Sequence, residues 1–92
     1  MNKSFRVYTI INCKDCSGYH KILDEICLEY NIEKVLIDVD KPHNLEQNLL
    51  EMVKYKVKAI PHTLICVDGK PVTGKPGILT KEEVLELLNY VN

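Results

Sequence analysis

The sequence predicts a single α/β domain over residues 1–92, with a mixed four-stranded sheet, helices on both faces and the element order β-α-β-α-β-β-α. Three observations carry that expectation. Short runs rich in β-branched residues alternate with segments whose apolar residues recur every three or four positions. Asp68-Gly69, between two extended runs, is a two-residue hairpin signal. Thr80 followed by Glu83 is a capping box that opens a last helix.

Phe5 to Ile11 reads as a buried strand. From Cys13 the period becomes helical, and Tyr19, Ile22, Leu23, Ile26, Cys27 and Tyr30 form one apolar stripe that Asn31 ends. Val35 to Val39 is a second short strand, broken by Asp40-Lys41-Pro42. Leu45, Leu49, Met52 and Val53 give a second helical stripe, ending near Lys56. Ala59-Ile60-Pro61 leads into a third strand, Leu64 to Val67. Pro71-Val72-Thr73 is the returning strand of the hairpin, and its proline assigns it to a sheet edge. Gly74-Lys75-Pro76-Gly77 reads as a loop, and Val84, Leu87, Leu88 and Val91 as the buried face of the last helix. Strands joined through a helix are expected to run parallel, and the hairpin antiparallel.

Composition narrows the functional classes. With 92 residues and 46% hydrophobic content the chain builds one core and is not disordered. A net charge of -1 offers no handle for nucleic acid or an anionic membrane surface. The apolar run Val7 to Ile11 is too short for a signal peptide, and a membrane span needs about 20 residues, so a cytoplasmic location is expected. Thiols stay reduced there, which argues against a disulfide scaffold for the four cysteines. Cys13 and Cys16 form a Cys-x-x-Cys pair, while Cys27 and Cys66 stand alone and read as buried, inert small hydrophobes. A structural zinc site would more naturally show two such pairs, or one pair with closely spaced histidines.

The pair falls where the first strand gives way to the first helix. Orphan N–H groups and the helix dipole favour a thiolate at Cys13, the species that attacks in disulfide exchange. Cys16, nearly one turn later, is within reach to close a disulfide and falls inside the apolar stripe. An exposed first cysteine and a shielded second one make an attacker and a resolver. A metal clip is the competing reading of the pair, with His20, four residues after Cys16, a conceivable ligand or base. His20 itself reads as a boundary histidine with a half-solvated ring, His43 as solvated helix-start sequence, His62 as a neighbour of Pro61, and Lys75 as a solvated loop lysine.

Val7-Tyr8-Thr9-Ile10 before Cys13-Lys14-Asp15-Cys16 resembles the first strand and active-site turn of glutaredoxins. Val57-Lys58-Ala59-Ile60-Pro61-His62-Thr63-Leu64-Ile65, with Asp68-Gly69-Lys70, resembles the cis-proline loop and hairpin of thioredoxins. Gly77-Ile78-Leu79-Thr80-Lys81 is similar to their approach to the last helix. The resemblance covers nearly the whole chain and lacks only the extra N-terminal strand and helix of full-length thioredoxins. It therefore implies the minimal thioredoxin fold of a small, glutaredoxin-like thioredoxin.

The implied activity is that of a thiol-disulfide oxidoreductase acting on protein or small-molecule disulfides, with Cys13 attacking, Cys16 resolving and a Cys13–Cys16 disulfide as the oxidised state. Ile60-Pro61 is expected to be cis, and Ile60, Pro61 and Gly74 to take part in substrate binding. No bound cofactor is implied; a separate reductase or glutathione supplies electrons, and the chain is expected to act as a monomer. A glutathione-dependent glutaredoxin and a metal or iron-sulfur module on the same cysteine pair are the alternatives. The chain departs from both families at several places. Asn12 stands where thioredoxins carry tryptophan, Lys14-Asp15 where they carry Gly-Pro, and Val7 near the position of their buried acid. Thr73 to Gly77 does not match the Gly-Gly and acidic cap with which glutaredoxins bind glutathione.

Overall fold

A computed structural model of the protein describes residues 2–10, 14–39 and 45–91, with the side chains of Lys14 and Asp15 excepted. Cys13, His43 and the Asp40-Lys41-Pro42 break lie outside the described residues. The elements are β1 (Lys3–Thr9), α1 (Lys14–Tyr30), β2 (Glu33–Asp38), α2 (Leu45–Lys54), β3 (His62–Val67), β4 (Lys70–Pro76) and α3 (Lys81–Tyr90). Their order is the expected one. β1 starts two residues earlier than the β-branched run suggests and ends at Thr9, short of Ile10.

The four strands form one mixed sheet in the order β2-β1-β3-β4. β1 runs parallel to β2, and both the β1–β3 and the β3–β4 pairs are antiparallel. One expectation is corrected here: β2 and β3, although joined through α2, do not run parallel. The register shows why. Tyr8 lies level with Ile37 near the end of β2 and with His62 at the start of β3. The α2 segment therefore returns the chain to the sheet end it had just left, and β3 enters beside β1 rather than beside β2. Crossover handedness governs only strands that run parallel in the sheet, so it has no purchase on this connection.

β1, flanked on both sides, alternates its side chains between two cores. Phe5 and Val7 meet Tyr19, Leu23 and Ile26 of α1, Ile65 of β3, and Val84 and Leu88 of α3. Tyr8 meets Val57, Leu64 and Cys66 on the opposite face, where Met52 of α2 adds to the cover. Tyr30, placed on the buried stripe of α1 by its spacing, is 50% exposed. It occupies the last turn, beyond the end of the sheet-facing ridge, and Asn31 (φ 54) then ends the helix in the left-handed conformation that asparagine tolerates. At α3 the capping box is complete: Glu83 N–H donates to Thr80 Oγ1 at 3.2 Å and Thr80 N–H to Glu83 Oε1 at 3.2 Å.

The Asp68-Gly69 turn has positive φ at both residues (52 and 83), as a tight hairpin matched to strand twist requires. Its returning strand is longer than expected. Gly74, Lys75 and Pro76 belong to β4 and pair with Leu64, Thr63 and His62, so the predicted loop is reduced to the turn at Gly77. Between Ile65–Thr73 and Cys66–Pro71 the register slips, leaving Val72 as the extra residue of a bulge. β4 is an edge strand, the position at which Pro71 does least harm to the ladder.

α2 corrects the sequence reading most sharply. Leu49 and Val53, on its apolar stripe, are 51% and 79% exposed, whereas Asn48 is 7% exposed. Polar anchors set the helix's rotation. Arg6 Nη2 donates to Glu51 Oε2 at 2.6 Å, Tyr8 OH donates to the same oxygen at 3.1 Å, and Arg6 Nε donates to Tyr8 OH at 3.0 Å. Asn48 Nδ2 donates to the Asp38 carbonyl at 3.4 Å. Burial alone would raise the Glu51 carboxyl, but the Arg6 guanidinium outweighs it and holds the group below its ordinary 4.5. Glu51 thus contributes stability above that value, which is lost as pH falls through the lower folded one. Glu51→Gln is expected to lower stability at neutral pH by about 1 kcal/mol, the net worth of a typical hydrogen bond. The difference from wild type should vanish under acid, which urea unfolding across the pH range would check. A constant difference would show that the carboxylate charge is not what holds α2.

Among the described residues no helix is long and apolar enough to cross a membrane.

Candidate active site

One end of the sheet collects the candidate residues. Thr9 closes β1 beside Asp38, and β3 opens there at His62, level with Pro76 of β4. The Ile60–Pro61 peptide bond, immediately before β3, is cis, the geometry that the resemblance implied. Gly77 N–H donates to the Pro61 carbonyl at 2.7 Å, tying the end of β4 to the proline loop. Pro61 is buried and Ile60 half-buried.

α1 is described from Lys14 on, with Cys16 in its first turn and only 3% exposed. Cys13 lies outside the described residues. Two side-chain bonds fasten this part of α1 to the sheet, and composition and spacing pointed to neither. The Tyr19 hydroxyl pairs with Thr63 Oγ1 of β3, and His20 Nε2 lies 3.0 Å from Thr9 Oγ1 of β1. Both threonines are fully buried. The signal that could have found them is a threonine on the core face of a strand, because a buried hydroxyl needs a partner.

Burial pushes the Tyr19 hydroxyl up to about 12, against the bond from Thr63 and with the Glu83 carboxylate adding to the rise. Burial lowers His20, aided by the Lys34 ammonium and opposed by Asp24. The half-solvated boundary ring expected for His20 therefore has a definite partner. His62 is 8% exposed, burial alone lowers it, and its Nδ1 makes no hydrogen bond among the described residues.

Cys66 is buried as expected, whereas Cys27 is only half-buried; burial raises both thiols. Val7 is fully buried and apolar, so its position supplies no proton acceptor. Lys75 is a strand residue rather than a loop residue, and its ammonium pairs with Glu83 at 2.8 Å.

Gly74 sits opposite Leu64, and a Cβ there would lie 2.8 Å from the Thr63 carbonyl oxygen and 3.3 Å from His62 Nε2. The residue meets a steric demand of the β3–β4 contact. A cleft of about 390 Å³ opens beside it, between His62, Gly74 and the loop at Tyr55. A larger cavity, about 730 Å³, lies at the opposite end of the sheet among Asn31, Asp68 and Leu85, away from Cys16. Among the described residues no group of three or more His, Cys, Asp or Glu side chains is placed to hold a metal ion.

No protein-family model matches the chain. Among curated proteins it is similar to thioredoxin of Staphylococcus aureus, 27% identical over 77 residues that span 84% of this chain and 70% of that one. Among solved structures it is similar to Fasciola hepatica thioredoxin, with a TM-score of 0.75 and 22% identity over 99% of this chain and 82% of that one. A mutant thioredoxin from Halobacterium salinarum NRC-1 has a TM-score of 0.76 and 17% identity, covering 97% of this chain and 74% of that one.

Proposed function

We propose that the chain, which has the thioredoxin fold and is similar to a curated thioredoxin, is a thiol-disulfide oxidoreductase acting by dithiol exchange, with Cys13 as the attacking thiol and Cys16 as the resolving one. The observation that carries this assignment is Cys16, shielded in the first turn of α1 and three residues after Cys13 in the sequence.

In the first step the Cys13 thiolate attacks one sulfur of the substrate disulfide, and the other sulfur leaves as a thiolate that takes a proton. Cys16 then attacks Cys13 Sγ, a Cys13–Cys16 disulfide forms, and the second substrate thiol departs. Two electrons pass from the pair to the substrate, and a separate reductase or glutathione returns them. Ile60, just before the buried Pro61, is the backbone that docks an extended substrate segment, as in strand addition to an exposed edge. Gly74 serves the same site by letting β4 close against β3. The reaction belongs to a reducing compartment, the cytoplasm, and a monomer suffices for it.

Cys13 is expected to be the fastest thiol to react with iodoacetamide in the folded, reduced protein. Cys66 is buried, Cys27 half-buried, and burial raises both thiols, so their thiolate fractions are small. Timed alkylation followed by peptide mass spectrometry checks the order. Earlier labelling of Cys27 or Cys66 would defeat the assignment.

A further inference from the structure

A resolving thiol that is 3% exposed loses its proton only if a base is near, because burial disfavours the thiolate. Several described residues of this region do not offer one. Val7 is hydrocarbon, and the Tyr19 hydroxyl is bonded to Thr63 and still protonated at neutral pH. The Asp24 carboxylate, two helical turns beyond Cys16, is paired with Lys34 of β2.

His20 remains. It follows Cys16 by four residues on α1, and helix geometry places side chains at that spacing about 5–6 Å apart on one ridge. Its ring is fixed by Thr9 Oγ1, 3.0 Å from Nε2, at the end of β1 where the candidate residues gather. Resting on the assignment of Cys13 and Cys16, we propose that the His20 imidazole, held by Thr9, is the base that takes the Cys16 proton as Cys16 attacks the mixed disulfide.

The step balances within the site. In the tautomer that carries its hydrogen on Nε2, that nitrogen donates to Thr9 Oγ1 and the Nδ1 lone pair accepts the proton. Cys16 Sγ bonds to Cys13 Sγ, the bond from Cys13 to the substrate sulfur breaks, and that sulfur departs with the electron pair. The imidazolium then returns its proton to the departing thiolate. Among the described residues, the charged groups that act on His20 are Lys34 on β2 and Asp24 on α1; Asp38 is level with Thr9 at the end of β2, and Cys27 follows His20 by seven residues on α1. Burial and Lys34 hold the imidazole below its ordinary 6.5, so the base form prevails at neutral pH and is lost only under mild acid.

The test is rapid mixing of the reduced protein with dithiobis(nitrobenzoate). The first equivalent of coloured thiol reports attack by Cys13, and the second reports resolution by Cys16. His20→Gln is expected to leave the first phase unchanged and to slow the second at least about 10-fold at pH 7, since general base catalysis is worth roughly 10²–10⁴. In wild type the second phase should fall only below about pH 6.5. In His20→Gln it should fall steadily across the neutral range with the thiolate fraction of Cys16. Thr9→Val, which keeps the imidazole but removes its tether, should slow the second phase less and retain the wild-type pH step. A second phase with wild-type rate and wild-type pH dependence in both variants overturns the proposal. A second phase that persists in Cys16→Ser overturns it differently, by removing the resolving cysteine on which it rests.

Discussion

Cys13→Ser is expected to reduce disulfide turnover to background, and Cys16→Ser to arrest the protein as a mixed disulfide with its substrate. The two outcomes differ because the cysteines differ in role. Cys13 is assigned the attack, and Cys16 is enclosed in the opening turn of α1. A serine hydroxyl at position 13 supplies no thiolate near neutral pH, so no attack begins. With Cys13 intact and serine at position 16, attack proceeds once and nothing displaces the bound substrate sulfur. Mass spectrometry under non-reducing conditions should then find one substrate adduct per chain, on the peptide that contains Cys13. Added dithiothreitol should release it. A Cys16→Ser protein that keeps turning over a dithiol reaction would contradict the resolving role, and an adduct on Cys27 or Cys66 would contradict the attacking one.

Gly74→Ala should be strongly destabilising although the residue lies on an edge strand. A Cβ at this position would sit 2.6 Å from Leu64 Cδ2 and 2.8 Å from the Thr63 carbonyl oxygen. The Leu64 methyl can turn aside, but the carbonyl belongs to the β3 backbone and cannot yield without moving the strand. Overpacking of this kind costs about 1–3 kcal/mol. For a domain of this size each kcal/mol lowers Tm by roughly 4–8 °C. Thermal unfolding followed by circular dichroism is expected to show a fall of roughly 5–20 °C, with disulfide reduction at low temperature retained in proportion to the folded fraction. An unchanged Tm with lost activity would move Gly74 from the packing of β4 to direct contact with the substrate.

The sequence by itself determined the order of elements, the Asp68-Gly69 hairpin, the Thr80–Glu83 capping box and the burial of Tyr19, Leu23 and Ile26 on α1. Each is written in residues no more than a few positions apart, so local spacing suffices to read it. The placement of Cys16 in the first turn of the first helix was legible for the same reason. Tertiary structure decided what depends on distant partners.

The direction of β3 follows from its pairing with β1, which no local period encodes. The exposure of Leu49 and Val53 on α2 follows from Arg6 and Tyr8, which bind Glu51 from more than forty residues away and rotate an apolar stripe toward solvent. The Thr9–His20 and Tyr19–Thr63 pairs were likewise invisible. A hydroxyl on a strand carries no sign of the side chain that will satisfy it, and only packing of α1 onto the sheet supplies one. Gly74 reads as loop sequence because glycine permits turns, yet it is a strand residue here because β3 leaves no space for a Cβ.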